Sequence, residues 1–88
     1  MNLSLLDVGG EMMVVSQFTL LGDCTKGRRP SFFQAEEPAH ANELYEYFLQ
    51  QGAEKVKKLA CGKFQEMMKI ELVNDGPVTI LLDSKKYF

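Results

Sequence analysis

The chain has 88 residues, 45% of them apolar and 25% charged, with a net charge of −2. That length sets a ceiling of one domain, residues 1–88, with a thin core that buries roughly 60–65% of the unfolded surface. The composition is that of a folded globular chain and not of a disordered one, and the charge excludes a global basic field for nucleic acid, so any RNA contact must come from a local patch.

Residues 3–8 form a short apolar run, and Gly9-Gly10 follows, a pair suited to a hairpin turn. Residues 11–21 are apolar and β-branched at their centre, the pattern of a strand covered on both faces. The opening therefore predicts a hairpin whose second strand enters the core. Ser16 and Gln17 stand near the far end of that strand, where polar groups need partners or a task.

Residues 22–31 read as a loop, since Gly22, Asp23, Thr25, Gly27 and Pro30 are turn formers. Lys26-Gly27-Arg28-Arg29 lies within it. A helix is predicted next. Pro38 suits its first turn, Glu36 and Glu37 complement its positive end, and Gly52 is a natural stop. Ala41, Leu44, Tyr45, Phe48 and Leu49 fall on one stripe at helical spacing. Residues 55–59 predict a short strand, Cys61-Gly62-Lys63 a turn, and residues 64–68 an irregular piece or a single helical turn. Residues 69–73 alternate polar and apolar, as in a half-exposed strand. Asn74-Asp75-Gly76-Pro77 is a dense turn signal, residues 78–82 predict another strand, and residues 85–88 a tail. The pattern amounts to about five strands and one main helix, an α/β arrangement.

Several chemistries find no support. His40 is the sole histidine and sits beside acidic residues at the helix start, which argues against a Ser-His-Asp triad. No cluster of Cys, His and carboxylates has metal-ligand spacing, and no glycine-rich phosphate loop of a known type occurs, so neither a metal nor another cofactor is expected. Cys24 and Cys61 are far apart in sequence and read as free thiols of a reducing compartment. No apolar run approaches the ~18 residues of a membrane span, and the first residues do not resemble a signal peptide. The expected location is the cytoplasm.

Three segments carry candidate chemistry, each with a plainer reading beside it. Ser16-Gln17-Phe18-Thr19 combines hydroxyls, an amide and backbone N–H groups that suit a carbonyl oxygen, or that simply bond the adjacent turn. Asn74-Asp75-Gly76-Pro77 suits a rigid wall of backbone carbonyls, or an ordinary hairpin turn. Lys26, Arg28 and Arg29 form a local anion site for phosphates, followed by Phe32 and Phe33 for stacking on a base, or a solvated loop backed by a core aromatic.

In that order and at those separations, Ser16-Gln17-Phe18-Thr19-Leu20, Lys26-Gly27-Arg28-Arg29-Pro30-Ser31-Phe32 and Asn74-Asp75-Gly76-Pro77-Val78-Thr79 resemble the D-aminoacyl-tRNA deacylase family. Residues 2–11 fit the family's run into its catalytic strand, and the likeness extends to about residue 84. Three departures accompany it. The family chain begins well before this one, so roughly its first two-fifths has no counterpart and Met1 resembles an internal methionine. Phe64-Gln65-Glu66 stands where the family tends to have Phe-Gly-Ala, although Met68 matches. Residues 51–59 are shorter and richer in lysine than the family pattern.

The resemblance implies a three-layer α/β fold of curved sheets with its N-terminal part absent, and a homodimer whose active sites lie across the subunit interface. It implies hydrolysis of the ester between a D-amino acid, or glycine, and tRNA. Ser16, Gln17, Phe18 and Thr19 take the catalytic role. Asn74, Gly76, Pro77 and Thr79 take chiral selection, through a cis Gly76-Pro77 turn reaching into the partner's site. Lys26, Arg28 and Arg29 hold the tRNA acceptor end. The rivals are an inactive fragment and a tRNA-binding module that keeps the fold without hydrolysis.

Overall fold

In a computed structural model that describes residues 2–86, two short parallel strands and one long helix carry the architecture. Strand β1 is Met12–Val14, helix α1 is Pro38–Ala53 and strand β2 is Leu59–Cys61, with a 3-10 helix at Phe18–Leu21 between β1 and α1. The strands pair with Met12 opposite Leu59, Met13 opposite Ala60 and Val14 opposite Cys61. Parallel neighbours need a long crossover, and α1 provides it.

Helix α1 starts where the sequence predicts. Pro38 occupies the first turn and needs no N–H partner there. Glu37 is the N-cap, with its carboxylate accepting from His40 N at 2.7 Å and Ala39 N at 3.4 Å. Replacing Glu37 by alanine leaves those N–H groups without their cap and is expected to cost about 1 kcal/mol, read as a lower urea midpoint at constant slope. Gly52 falls one residue before the last helical position, so the expected stop is met within a residue. A Cβ on Gly52 would stand 2.8 Å from Leu59 Cδ1 and 3.0 Å from Met12 Cε. The helix end thus approaches both strands closely because this residue has no side chain.

The predicted opening hairpin does not form. Ser4 and Asp7 instead make a capping box: Asp7 N donates to Ser4 Oγ at 3.1 Å and Ser4 N to Asp7 Oδ2 at 2.8 Å. The Ser4 N–H, and after it the Ser4 hydroxyl, holds the Asp7 carboxyl below its ordinary value. Gly9, at φ +63°, closes that turn, with Gly9 N bonded to Leu6 O and Gly10 N to Leu5 O, the paired pattern of a helix C-terminus. The glycine pair therefore ends a turn of helix and does not reverse a strand.

Other expected strands are corrected as well. Residues 11–21 shorten to β1 and the 3-10 helix, because Thr19 O accepts from Gly22 N at 3.0 Å and folds the chain over. The strand expected at residues 55–59 starts at Leu59 and ends at Cys61, where a turn was expected. Residues 64–68 are irregular, as predicted. Residues 69–73 and 78–82 have strand-like sequences but pair with nothing among the described residues. Val73 is 93% and Leu82 89% exposed. Strand preference is a preference for a packed, paired surface, and without a neighbour it yields no strand. Met1, Tyr87 and Phe88 lie outside the described residues, and so does half of the expected tail.

Of the predicted helix stripe, Tyr45 alone is buried, at 9% exposure, while Leu44 and Phe48 remain more than half exposed. The radius of gyration is 15.2 Å, against about 12 Å for a close-packed domain of this length. The described chain is an open α/β unit whose sheet presents two unpaired outer edges.

Candidate functional site

The chain leaves β1 through Val15 and Ser16 and reaches Gln17, which caps the 3-10 helix in an extended conformation. The Gln17 side-chain amide donates to the Thr19 hydroxyl oxygen. Phe18 and Thr19 head that helix, so their N–H groups have no acceptor inside it. Leaving β2, the chain runs through Gly62 and Lys63 to Phe64. Gln65 there holds φ 61°, a left-handed conformation that glycine adopts more readily.

Both runs line one cleft of about 760 Å³, within the ~300–1,000 Å³ of ligand-binding clefts. Ser16, Gln17 and Phe18 face it from the first run, and Phe64, Glu66 and Met68 from the second. Pro38 contributes from the start of α1 and Glu36 from just before it. The cleft is therefore apolar in the main, with carboxylates at Glu36 and Glu66 and no lysine or arginine in its lining.

The predicted site residues divide. Ser16, Gln17 and Phe18 come together on the cleft, whereas Thr19 does not line it. Asn74, Gly76, Pro77 and Thr79 are exposed and do not line it either. The Gly76-Pro77 bond is cis, as the resemblance implies. The turn is tight: a Cβ on Gly76 would stand 2.5 Å from Val78 N and 2.8 Å from Asn74 Oδ1. Lys26, Arg28 and Arg29 are exposed on a separate loop. Glu36 was read from the sequence only as a helix-end charge. Its place in the cleft follows from the chain's return beside β1, which no local pattern encodes.

The basic loop is anchored beside the cleft. Asp23 and Ser31 exchange both backbone hydrogen bonds at 2.8 Å and close its base. The Asp23 carboxylate accepts from the Thr25 hydroxyl at 2.7 Å and from Thr25 N at 2.9 Å, and these bonds, the hydroxyl's first, hold its carboxyl below its ordinary value. Phe32 packs edge-on against Phe18 with ring centroids 4.9 Å apart. Phe32 is thus committed to the fold, while Phe33 is 92% exposed. Among the described residues no carboxylate pairs with Lys26, Arg28 or Arg29.

His40 is exposed and lies 3.6 Å from Glu43, a surface pair. Both cysteines are free and exposed. No group of His, Cys, Asp and Glu among the described residues is arranged to hold a metal ion, and no described helix is long and apolar enough to cross a membrane.

A parallel βα crossover unit that opens a cleft at its strand exits, beside a loop of cations, defines an α/β protein with a candidate site at its strand ends. The model of the D-Tyr-tRNA(Tyr) deacylase family matches residues 1–83. Similar curated proteins, all called D-aminoacyl-tRNA deacylase, come from Syntrophus aciditrophicus (62% identical over 88 residues), Clostridioides difficile (59% over 88) and Caldicellulosiruptor bescii (56% over 87). The matches take in 99–100% of this chain and 58–59% of each relative, so the chain spans about three-fifths of the relatives' length. It belongs to the D-Tyr-tRNA(Tyr) deacylase family.

Proposed function

We propose that this chain carries the chemistry of a D-aminoacyl-tRNA deacylase, hydrolysing the ester between a D-amino acid, or glycine, and the terminal ribose of tRNA. The observation that carries the proposal is the β1 exit, Ser16-Gln17-Phe18, opening on a cleft that also holds the carboxylates of Glu36 and Glu66. An aminoacyl ester needs a donor for the charge that builds on its carbonyl oxygen, and a group that tolerates its α-ammonium. The backbone N–H of Phe18, which lines the cleft and has no acceptor inside the 3-10 helix, supplies the first, where one such donor is worth ~2.7–4 kcal/mol. Acidic side chains in a largely apolar cleft supply a favourable field for the second.

Water is activated in this scheme by the ribose 2′-hydroxyl. Thr19 is a weaker candidate for nucleophile. Its oxygen receives a hydrogen bond from the Gln17 amide, which is a donor and not a base, and it does not line the cleft. The carbonyls of the Gly76-Pro77 turn serve a partner's cleft, in keeping with their exposure away from their own. That arrangement belongs to a cytoplasmic homodimer with cross-subunit sites and a three-layer fold. The cations at Lys26, Arg28 and Arg29 hold the acceptor end of tRNA through its phosphates.

The test is deacylation of D-Tyr-tRNA against L-Tyr-tRNA by the purified chain. The expected result is hydrolysis of the D form at least about 10²-fold faster. Alanine at positions 26, 28 and 29 together should weaken tRNA binding and flatten its salt dependence by about 2 in slope. Hydrolysis of neither ester, with tRNA binding intact, would leave only a binding module.

A further inference from the structure

Tyr45 is the buried residue of the described chain, but packing accounts only for its ring. Its hydroxyl reaches two backbone carbonyls. It lies 3.3 Å from Val14 O and donates to Gly62 O as well. Val14 is the last residue of β1, and Gly62 is the first after β2. Gly62 N donates to Val14 O at 2.8 Å, so a helix side chain and two strand ends share one small hydrogen-bonded cluster.

The cluster sits where the cleft begins. Val15 and Ser16, directly after Val14, line it, and so does Phe64, which follows Gly62 by two residues. The Tyr45 and Phe64 rings lie 6.0 Å apart at 34°.

We propose that Tyr45 is a positioning residue whose hydroxyl ties the two strand exits together and sets the spacing between the Ser16–Phe18 and Phe64–Met68 sides of the cleft. A phenol has one proton to give and both partners are acceptors. The shared proton screens two carbonyl dipoles brought to one point. Phenylalanine fills the same volume but leaves the carbonyls facing each other without it, and the exits drift apart. The surroundings favour this protonated form: burial first, then the neighbouring Cys61 and Glu46, push the Tyr45 phenol above its ordinary value.

The kinetic arm of the test rests on the deacylase reading, and the structural arm does not. Y45F should lower kcat for D-Tyr-tRNA by about tenfold, the scale of one lost hydrogen bond, with KM changed less than about twofold. Amide exchange should quicken by about tenfold at Gly62 and Glu66, whose N–H groups bond Val14 O and Lys63 O, with α1 protected as before. Equal quickening across α1 and both strands would mean that Tyr45 only holds the fold, and would overturn the proposal. Unchanged exchange at Gly62 and Glu66 would overturn it too. Should the unsubstituted chain lack deacylase activity, the deacylase reading fails by itself and exchange decides the positioning role. Should Y45F not fold, the hydroxyl proton of the unsubstituted chain decides: slow exchange and proximity to Gly62 by NMR are expected, and a freely exchanging proton refutes the tie.

Discussion

Under the proposed deacylase function, replacing Gly76 by alanine is expected to lower the preference for D- over L-aminoacyl-tRNA by roughly 10²-fold, the scale of a ~1 Å misplacement in a site. The added Cβ would meet Val78 N at 2.5 Å, closer than packed carbon atoms come to backbone, so the turn must shift. Asn74 Oδ1, at 2.8 Å from the same point, must move as well. The turn is exposed, and its distortion should change global stability by no more than about 0.5 kcal/mol. Selectivity and stability are therefore separable here. The measurement is the ratio of D-Tyr-tRNA to L-Tyr-tRNA deacylation for both proteins, with a thermal melt as the control. An unchanged ratio would remove chiral selection from this turn.

Replacing Tyr45 by alanine should have a larger effect of another kind. Deleting a buried aromatic ring costs ~3–5 kcal/mol. A domain of this length has about 4–13 kcal/mol in total, at ~0.05–0.15 kcal/mol per residue. Tyr45 is the one buried residue among the described residues, Leu44 and Phe48 are more than half exposed and Ala41 and Leu49 only half-buried, so the rest of the helix stripe compensates little. The chain should lose its cooperative urea transition in far-UV circular dichroism. A cooperative transition weakened by less than about 1 kcal/mol would show that Tyr45 is not the core. The same residue sets an alkaline limit. The folded state favours the protonated phenol, raising its pKa above 10.0. Its contribution is full below that unfolded value and is lost as pH rises through the higher folded one.

Much of the local design was legible in the residue order. Pro38 and the acidic pair before it placed the helix start, Gly52 placed its end within one residue, and Asp23 through Ser31 formed the expected loop. The opening was legible too, but the glycine pair carried the wrong weight. Ser4 and Asp7 at capping-box spacing, followed by Gly9, describe a closed turn of helix better than a hairpin. That signal is local and depends on no tertiary contact.

Pairing was not legible in the same way. Residues 69–73 and 78–82 have strand composition and form no strand among the described residues, while Met12–Val14 and Leu59–Cys61, far apart in sequence, pair in parallel. Alternation reports which face of a strand is apolar, and it says nothing about the neighbour that must supply the other half of each hydrogen bond.

By itself the sequence determined the small α/β class, the helix, the basic loop and the ordered motifs that mark the family, because each rests on local spacing or on residue identity. Only the tertiary structure decided that Ser16, Gln17 and Phe18 share a cleft with Glu36, Glu66 and Met68, that Thr19 stays off it, and that Tyr45 joins the two strand exits. Those contacts span the crossover through α1, and their geometry depends on how the helix lies on the strands, which no short stretch of residues encodes.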